Sequence, residues 1–392
     1  MIKRKKKNKE HNPFYDPTLK KRHLSAKRFK KFTLTSLIFS VAFLAFFLFD
    51  MIGKGIPAFN IAYIKTDVTF NEKTLEDTRF AVPTPYRNLV SRAALRDLPK
   101  LLEENPTYMN STQNIWILAS SQVDQYIKNH NHNLKDKDIA KVDELYAQGL
   151  IDKKFNAIFF TNGDSKIPEY AGIFSAVIGS ILTLIITMAV AFPIGVMTAI
   201  YLEEFAGDNK FTRFIEININ NLAAIPSILF GLLGLAIFIN LFGMPRSSPL
   251  VGGLTLALMT LPIIIVSSRA ALRAVPDSIR QARYGLGLNK IQVTRDHVLP
   301  LAFPGIMTGS IIGLAQAMGE TAPLIIIGMI AFIPDAPSMV TQAATVMPAQ
   351  LFTWAGMPEG MYIEKTAAGI LVLLTILISL NAIAIFLRKN LK

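Results

Sequence analysis

The chain of 392 residues contains no cysteine. That absence excludes a disulfide framework, a thiolate zinc site and a cysteine nucleophile, so any part lying outside a membrane must fold by packing alone. No G-x4-G-K-[ST] loop is present, which rules out ATP hydrolysis through a P-loop. Gly285-Leu286-Gly287 lacks the third glycine and the preceding strand of a dinucleotide site, and H-E-x-x-H does not occur. His130 and His132 alternate within a polar run, a pattern more typical of a solvated loop than of metal ligands. The sequence therefore predicts no catalytic residue, no metal site and no cofactor bound by this chain. It has no internal repeat, and its one low-complexity region is the basic start.

Charge is also missing from long stretches. Between Ala171 and Leu202 there is no Lys, Arg, Asp or Glu, and the whole chain is 51% hydrophobic with 26 Phe. A soluble fold of this size has no use for that much apolar surface. A bilayer core of about 30 Å needs roughly 20 helical residues. Six runs meet that length: Phe32–Ile52, Ala171–Leu202, Ile217–Leu241, Val251–Ser268, Leu301–Phe332 and Thr366–Leu387. The expected class is an all-α polytopic membrane protein.

Lysine and arginine are retained on the cytoplasmic side of short loops. Residues 1–31 carry 13 of them and residues 269–300 carry six, while residues 242–249 hold only Arg246 and residues 334–363 none. With Arg388, Lys389 and Lys392 at the other end, this places both termini in the cytoplasm. The basic start, 1–31, precedes an apolar run without a small-x-small cleavage pattern, so 32–56 reads as an uncleaved signal anchor. Beside a span, such a basic cluster meets anionic lipid and fixes topology, and nucleic acid is not an expected partner.

Residues 57–168 balance 14 Lys or Arg against 14 Asp or Glu and are long enough for a small domain. Phe59–Phe70 and Phe155–Thr161 read as strands. Three helical patterns fall between them: Leu89, Ala93, Leu98, Leu101 and Leu102, broken at Pro99; Ile115, Leu118, Val123 and Ile127; and Ile139, Val142, Leu145 and Leu150, ended by Gly149. This predicts a periplasmic α+β domain between the first and second spans, with 169–392 as a five-span core.

The charged, glycine-punctuated stretch 269–300 separates two apolar runs and must lie on one membrane face. Pro276, Asp277 and Ser278 suit a helix start, and Gly285 and Gly287 permit a sharp turn before a second short helix from Asn289 to Val298. The expected product is a helix–turn–helix presenting Arg280, Arg283, Tyr284 and Lys290 to a partner groove; a loop whose arginines only fix topology is the plainer reading. In the fifth run, Pro323 cannot donate to the Gly319 carbonyl, so the helix should open there. Glu320, beside that break, is the only formal charge between Val298 and Pro334. A carboxylate at that depth costs at least ~2.5–3.5 kcal/mol and should face a path or a partner. The other spans of this chain hold no cation, and Asp50 at the end of the first is their only charge, so the partner would be a cation from another subunit, or else Glu320 is protonated and bonded to a carbonyl.

Gln281, Ala282, Arg283 and Tyr284, then Gly287, then Leu299 and Pro300, resemble the loop E-A-A-x3-G-x9-I-x-L-P of bacterial ABC importer permeases, from which Gln281, Arg283 and His297 depart. With Gly319-Glu320-Thr321-Ala322-Pro323, Ala224-Ile225-Pro226-Ser227 and Pro193-Ile194-Gly195, the stretch Tyr170 to Lys392 resembles the PstA family of phosphate permeases. The resemblance implies a type I ABC importer permease fold of six spans in the bacterial inner membrane. It further implies a sister permease PstC, a PstB ATPase dimer holding ATP and Mg, a periplasmic phosphate-binding protein PstS, and inorganic phosphate as solute. Residues 281–284, 287, 299 and 300 would then couple to the ATPase, and Gln316, Gly319, Glu320, Thr321 and Pro323 would line the path. Many relatives carry a basic residue where this chain has Gln316. Asn221, Ser227 and Thr321 can donate hydrogen bonds to a passing anion, or simply link helices. Three other readings remain: an ABC permease for molybdate or sulfate, an ion-coupled secondary transporter, and a sensor built on residues 57–168.

Overall fold

The computed structural model describes residues 18–330 and 332–390. The first 17 residues of the basic tail, Lys392, and the side chains of Arg388 and Lys389 lie outside the described residues. Residues 1–53 and 54–392 form two units. The described part of the first lies in helix α1, Leu19–Gly55, in which Ser36 and Ser40 donate to the carbonyls one turn back. These bonds satisfy hydroxyls that an apolar helix has no other means to pair.

The second unit opens with an antiparallel sheet of order β2-β1-β3, formed by β1 (Asn60–Phe70), β2 (Ser111–Leu118) and β3 (Ile151–Phe155). Strand β1 alternates, burying Ala62, Ile64, Thr66, Val68 and Phe70 against the short helices α2 (Glu72–Glu76), α3 (Arg92–Arg96), α4 (Leu98–Glu104), α5 (Ser121–Ile127) and α6 (Asp136–Ala147). Leu89, Val123, Val142 and Leu145 complete this core.

Two expectations are corrected here. The pattern Ile115, Leu118, Val123 and Ile127 is not one helix. Ile115-Trp116-Ile117-Leu118, rich in strand formers, pairs with Tyr63–Thr66, and a helix begins only at Ser121. The strand expected at Phe155–Thr161 stops at Phe155, because the Asn156 side chain accepts from the Phe159 N–H and caps a helix, α7 (Ala157–Thr161). The first pattern does break at Pro99: α3 ends at Arg96, and α4 restarts at Leu98 with Pro99 in its first turn, where no donor is required. Gly149 does close α6, at φ +70°.

The helices that follow are α8 (Phe174–Ile200), α9 (Lys210–Ala223), α10 (Ser227–Gly234), α11 (Pro249–Arg273), α12 (Asp277–Gly285), α13 (Lys290–Val293), α14 (Leu299–Gly319), α15 (Ala322–Ile326), α16 (Met347–Ala355) and α17 (Gly360–Asn390). Among the described residues five helices are long and apolar enough to cross a membrane, or six if α9 and α10 make one span. The prolines differ in effect: Pro193-Ile194-Gly195 lies within the unbroken α8, whereas the break at Ala224-Ile225-Pro226-Ser227 forms and divides the run Ile217–Leu241. Its two halves meet at 102° across Ala224–Pro226, since Pro226 lacks an N–H and drives the preceding residue out of the helical region. Helix α11 is central, packing on α8 and α14 through small residues. A Cβ at Gly253 would come within 2.6 Å of Ile186, and Thr187 donates to the Gly253 carbonyl at 3.2 Å. Helix α16 was not foreseen.

Candidate functional site

The charged loop forms from local chemistry. Helix α11 ends at Arg273, Pro276 caps α12, and Gly287 turns the chain at φ +83°. Asn289 and Gln292 then exchange side-chain bonds with each other's N–H at 2.9 and 3.0 Å, a capping box that starts α13. A π-helical turn over Thr294–Val298 leads into Leu299 and Pro300, the first turn of α14. Gln281, Ala282, Tyr284, Gly287 and Pro300 are exposed, while Arg283 and Leu299 are half-buried. Leu286 and Ile291, at 70% and 65% exposure, add apolar surface beside Tyr284 that the sequence reading had not singled out.

Arg280 is not part of an exposed ridge. Its guanidinium grips Glu204 at 2.7 Å, the carbonyls of Val275 (2.7 Å) and Leu272 (3.0 Å), and Asp277 at 3.0 Å. Glu203 takes Arg273 at 2.7 Å and Arg269 at 3.3 Å, and Arg269 reaches Glu216 on α9 at 2.5 Å. The loop is thus fastened to the end of α8 and to α9. Lys290 lies 5.7 Å over the Phe205 ring. The signal for this brace was Glu203-Glu204, two acids directly after the uncharged run.

The fifth run breaks where Pro323 requires. Helix α14 ends at Gly319, Glu320 is extended (φ −75°, ψ 130°), and α15 restarts with Pro323 in its first turn. Helix α10, which follows the other break, packs on α15 so closely that a Cβ at Gly231 would approach the Pro323 Cα to 2.7 Å. Two interrupted helices therefore lie side by side. Ser227, the first residue of α10, and Thr321 are half-buried. Gln316 and Gly319 are exposed, Pro323 is buried, and Asn221 is exposed on the far side of the 102° bend, in α9. Glu320 is half-buried, and among the described residues its carboxylate has no hydrogen bond or ion pair.

A third cluster lies outside the sequence reading, whose sixth run begins at Thr366, six residues after the start of α17 at Gly360. Glu364 and Lys365, in the first turns of α17, are both buried. Glu364 accepts from Gln125 at 2.7 Å and Lys128 at 3.1 Å and meets His130 Nδ1. Lys128 also pairs with Asp124 at 2.6 Å, and Asp124 accepts from the Ala62 N–H of β1. Lys365 Nζ donates to the carbonyls of Pro168 (2.6 Å), Glu169 (3.2 Å) and Ala171 (2.6 Å), while Tyr362 and Trp354 hold Ser165 and Asp164. Burial pushes the carboxyls of Asp124 and Glu169 upward. The α+β module is therefore joined to α17 and to the segment entering α8 by buried charge.

These features define a class: a multi-pass helical membrane protein with broken helices and a braced loop of two short helices, carrying a small α+β module ahead of its second span. Residues 191–392, half of the chain, match the family described as binding-protein-dependent transport system inner membrane component, and the chain belongs to it. Residues 16–84 and 81–136 match a domain of unknown function, DUF3333. The chain is 36% identical over 160 residues to the phosphate transport system permease protein PstA of Mycobacterium leprae, covering 41% of this chain and 52% of that one. It is 31% identical to PstA of Yersinia pestis over 56% of this chain and 74% of that one, and 34% identical to the probable ABC transporter permease YqgI of Bacillus subtilis over 43% and 56%. It thus spans about half the length of several relatives it matches. Among solved structures, an inward-facing MetNI methionine ABC transporter chain aligns with a TM-score of 0.43 at 14% identity, over 56% of this chain and 94% of that one.

Proposed function

We propose that this chain is one of two permease subunits of an ATP-driven phosphate importer, itself non-catalytic. In this reading it forms the path with a sister permease of the PstC kind, couples to a PstB-like ATPase dimer that holds ATP and Mg, and receives phosphate from a PstS-like binding protein. The observation that carries the reading is the braced loop. Tyr284, Leu286 and Ile291 stand on a base fixed by Arg280 and Glu204, so a push on α12 and α13 is delivered to the ends of α8, α11 and α14 as one body. Phosphate as solute rests on the relatives named for it.

The loop and both termini lie in the cytoplasm by charge, and residues 57–168 lie on the opposite face, after a first span at 32–56 and before the core at 169–392. Gln281, Ala282, Arg283, Tyr284, Gly287, Leu299 and Pro300 contact the ATPase. Gln316, Gly319, Glu320, Thr321, Pro323, Ser227 and Asn221 belong to the path, where the paired breaks let half-helices shift without tearing a continuous ladder. Glu320 meets a cation of the sister permease.

The test is ATP-dependent phosphate uptake into vesicles holding the four components, with sulfate and molybdate as competitors. Uptake that requires this chain and resists both competitors is expected. Selective uptake of another oxyanion overturns phosphate, and uptake without ATP overturns the importer. Glu320→Gln is expected to slow uptake by about tenfold or more through loss of one charge-assisted pair, and an unchanged rate removes Glu320 from the path.

A further inference from the structure

The α+β module is charge-neutral in total, yet its cations are not evenly spread. Arg87, Arg92, Arg96, Lys135, Lys137 and Lys166 line one cleft of about 700 Å3, against three carboxylates, Asp138, Glu169 and Glu359. Glu169 is buried and spends one oxygen on the Ser121 N–H at 2.5 Å. Six of the 14 cations between residues 57 and 168 thus face one space, so the positive field is a local construction.

The arginines are placed by the fold. Ser91 caps α3, which sets Arg92 and Arg96 one turn apart on the same face. Arg87 is fixed over the Phe80 ring at 4.7 Å while its Nε donates to the Val82 carbonyl at 3.1 Å, leaving its outer nitrogens for the cleft. Neighbouring Arg79 shows what a satisfied arginine looks like here, forked onto Asp77 at 2.6 to 3.1 Å. Arg92 and Arg96 are exposed and have no such carboxylate among the described residues.

A lone oxyanion is far smaller than this open cleft, whereas guanidinium forks spaced along one wall suit several carboxylates, which they bind bidentately. Arginine is also the cation that protein interfaces favour, and lysine the one they avoid. The floor of the cleft is Lys166 to Glu169, which leads into α8, and Glu359, directly before α17. An occupant therefore touches the module and the entrances of two membrane helices together.

We infer that this cleft is a docking surface for an acidic segment of the importer's soluble binding protein, whose carboxylates pair with Arg87, Arg92 and Arg96. This rests on the proposed function for the existence of that partner and for the face on which residues 57–168 lie. Docking here holds the partner against the ends of α8 and α17, and its strength falls as salt screens the pairs.

The experiment is ATP-driven uptake by the reconstituted complex, titrated with soluble binding protein at about 50 and about 300 mM salt. For the wild type, the half-saturating concentration should rise with salt. Arg92→Glu combined with Arg96→Glu should raise it by about tenfold or more at low salt, abolish most of its salt dependence, and leave the maximal rate within about twofold. Arg92→Lys combined with Arg96→Lys retains the charge and should stay near the wild type, which separates docking from misfolding. A reversed-charge variant that saturates at the wild-type concentration with unchanged salt dependence overturns the docking surface and leaves the importer intact. Failure of the functional reading is visible earlier and in the wild type alone, as uptake that needs no ATP or no soluble protein; the latter overturns docking as well.

Discussion

Ion pairs fasten both ends of the membrane core, in two different physical settings. At the module end, Glu364, Lys128 and Asp124 expose 5%, 6% and 0% of their side chains, and Lys365 is sealed under three carbonyls. At the loop end the pairs grade outward: Arg280 and Glu204 expose 15% and 4%, Arg269 and Glu203 12% and 16%, while Arg273 and Asp277 expose 61% and 83%. A buried pair that loses a member leaves an unpaired charge away from water, so it breaks steeply or not at all. A half-exposed pair can exchange its partner for water at small cost. The same chemistry thus makes the module junction a weld, and gives the loop a covered anchor at Arg280 and Glu204 with outer contacts at Arg273 and Asp277 that can yield and re-form.

The sharpest break in this comparison is Lys365→Ala. It strips the donor from the carbonyls of Pro168, Glu169 and Ala171, and should destabilise the module junction by about 3 kcal/mol or more, each orphaned buried acceptor costing about 1–3. Limited proteolysis is expected to open residues 57–168 while the 269–300 loop keeps its wild-type cleavage pattern; equal protection of the module would show that the junction does not depend on Lys365. Glu204→Gln acts at the other end. It removes the charge that holds Arg280 and should cost about 1–2 kcal/mol, a loss small in thermal unfolding and large in the ratio of solute moved to ATP hydrolysed. If that ratio holds, the brace does not transmit. Of the same size is the backbone term at Gly287, where a Cβ would meet nothing within 4 Å but φ is +83°. Gly287→Val should cost about 1–2 kcal/mol and uncouple transport, whereas Gly287→Asn, which tolerates that conformation, should retain most of it. Equal loss in both variants would point to crowding by the partner rather than to backbone strain.

The parts of the molecule governed by short-range rules were legible in the sequence. Apolar length marked the spans, Pro323 marked the break beside Glu320, and two glycines with Asn289 marked the turn between α12 and α13. The misreadings arose where tertiary pairing overrides local pattern. Ile115–Leu118 carries a helical spacing only because a strand and a helix happen to adjoin, and its partner, Tyr63–Thr66, lies about 50 residues away in sequence. The bend at Ala224–Pro226 was visible as a proline, but hydropathy runs unbroken through it and masked the angle. The buried ions were the least legible. Glu364 and Lys365 look like ordinary flanking charges until Lys128 and three distant carbonyls are brought to them, and Arg280 looks exposed until Glu204 folds back onto it.

The mildest test concerns Asp164, which lies in the segment between module and α8. Its carboxylate is 3% exposed and accepts from Trp354 Nε1 and the Ser165 N–H, both at 2.8 Å. Burial pushes its pKa up from 3.8 to about 6, against the pull of those two donors and of Lys365. Because the folded-state value lies above the unfolded one, the folded protein holds the extra proton between about pH 4 and 6. The stabilisation linked to Asp164 is therefore complete below about pH 4 and lost as pH rises through about 6. Asp164→Asn keeps the acceptor for both bonds and has no charge to desolvate. Linkage bounds its gain at about 3 kcal/mol, and the amide NH2, a buried donor in need of a partner, takes back about 1–3. The variant should melt below the wild type at pH 4, where the amide penalty of about 1–3 kcal/mol stands alone, and match or slightly exceed it at pH 8. A variant that melts well below the wild type only at pH 8 would mean that the ionised carboxylate is itself part of the Lys365 cluster, extending the buried charge of the module junction by one member.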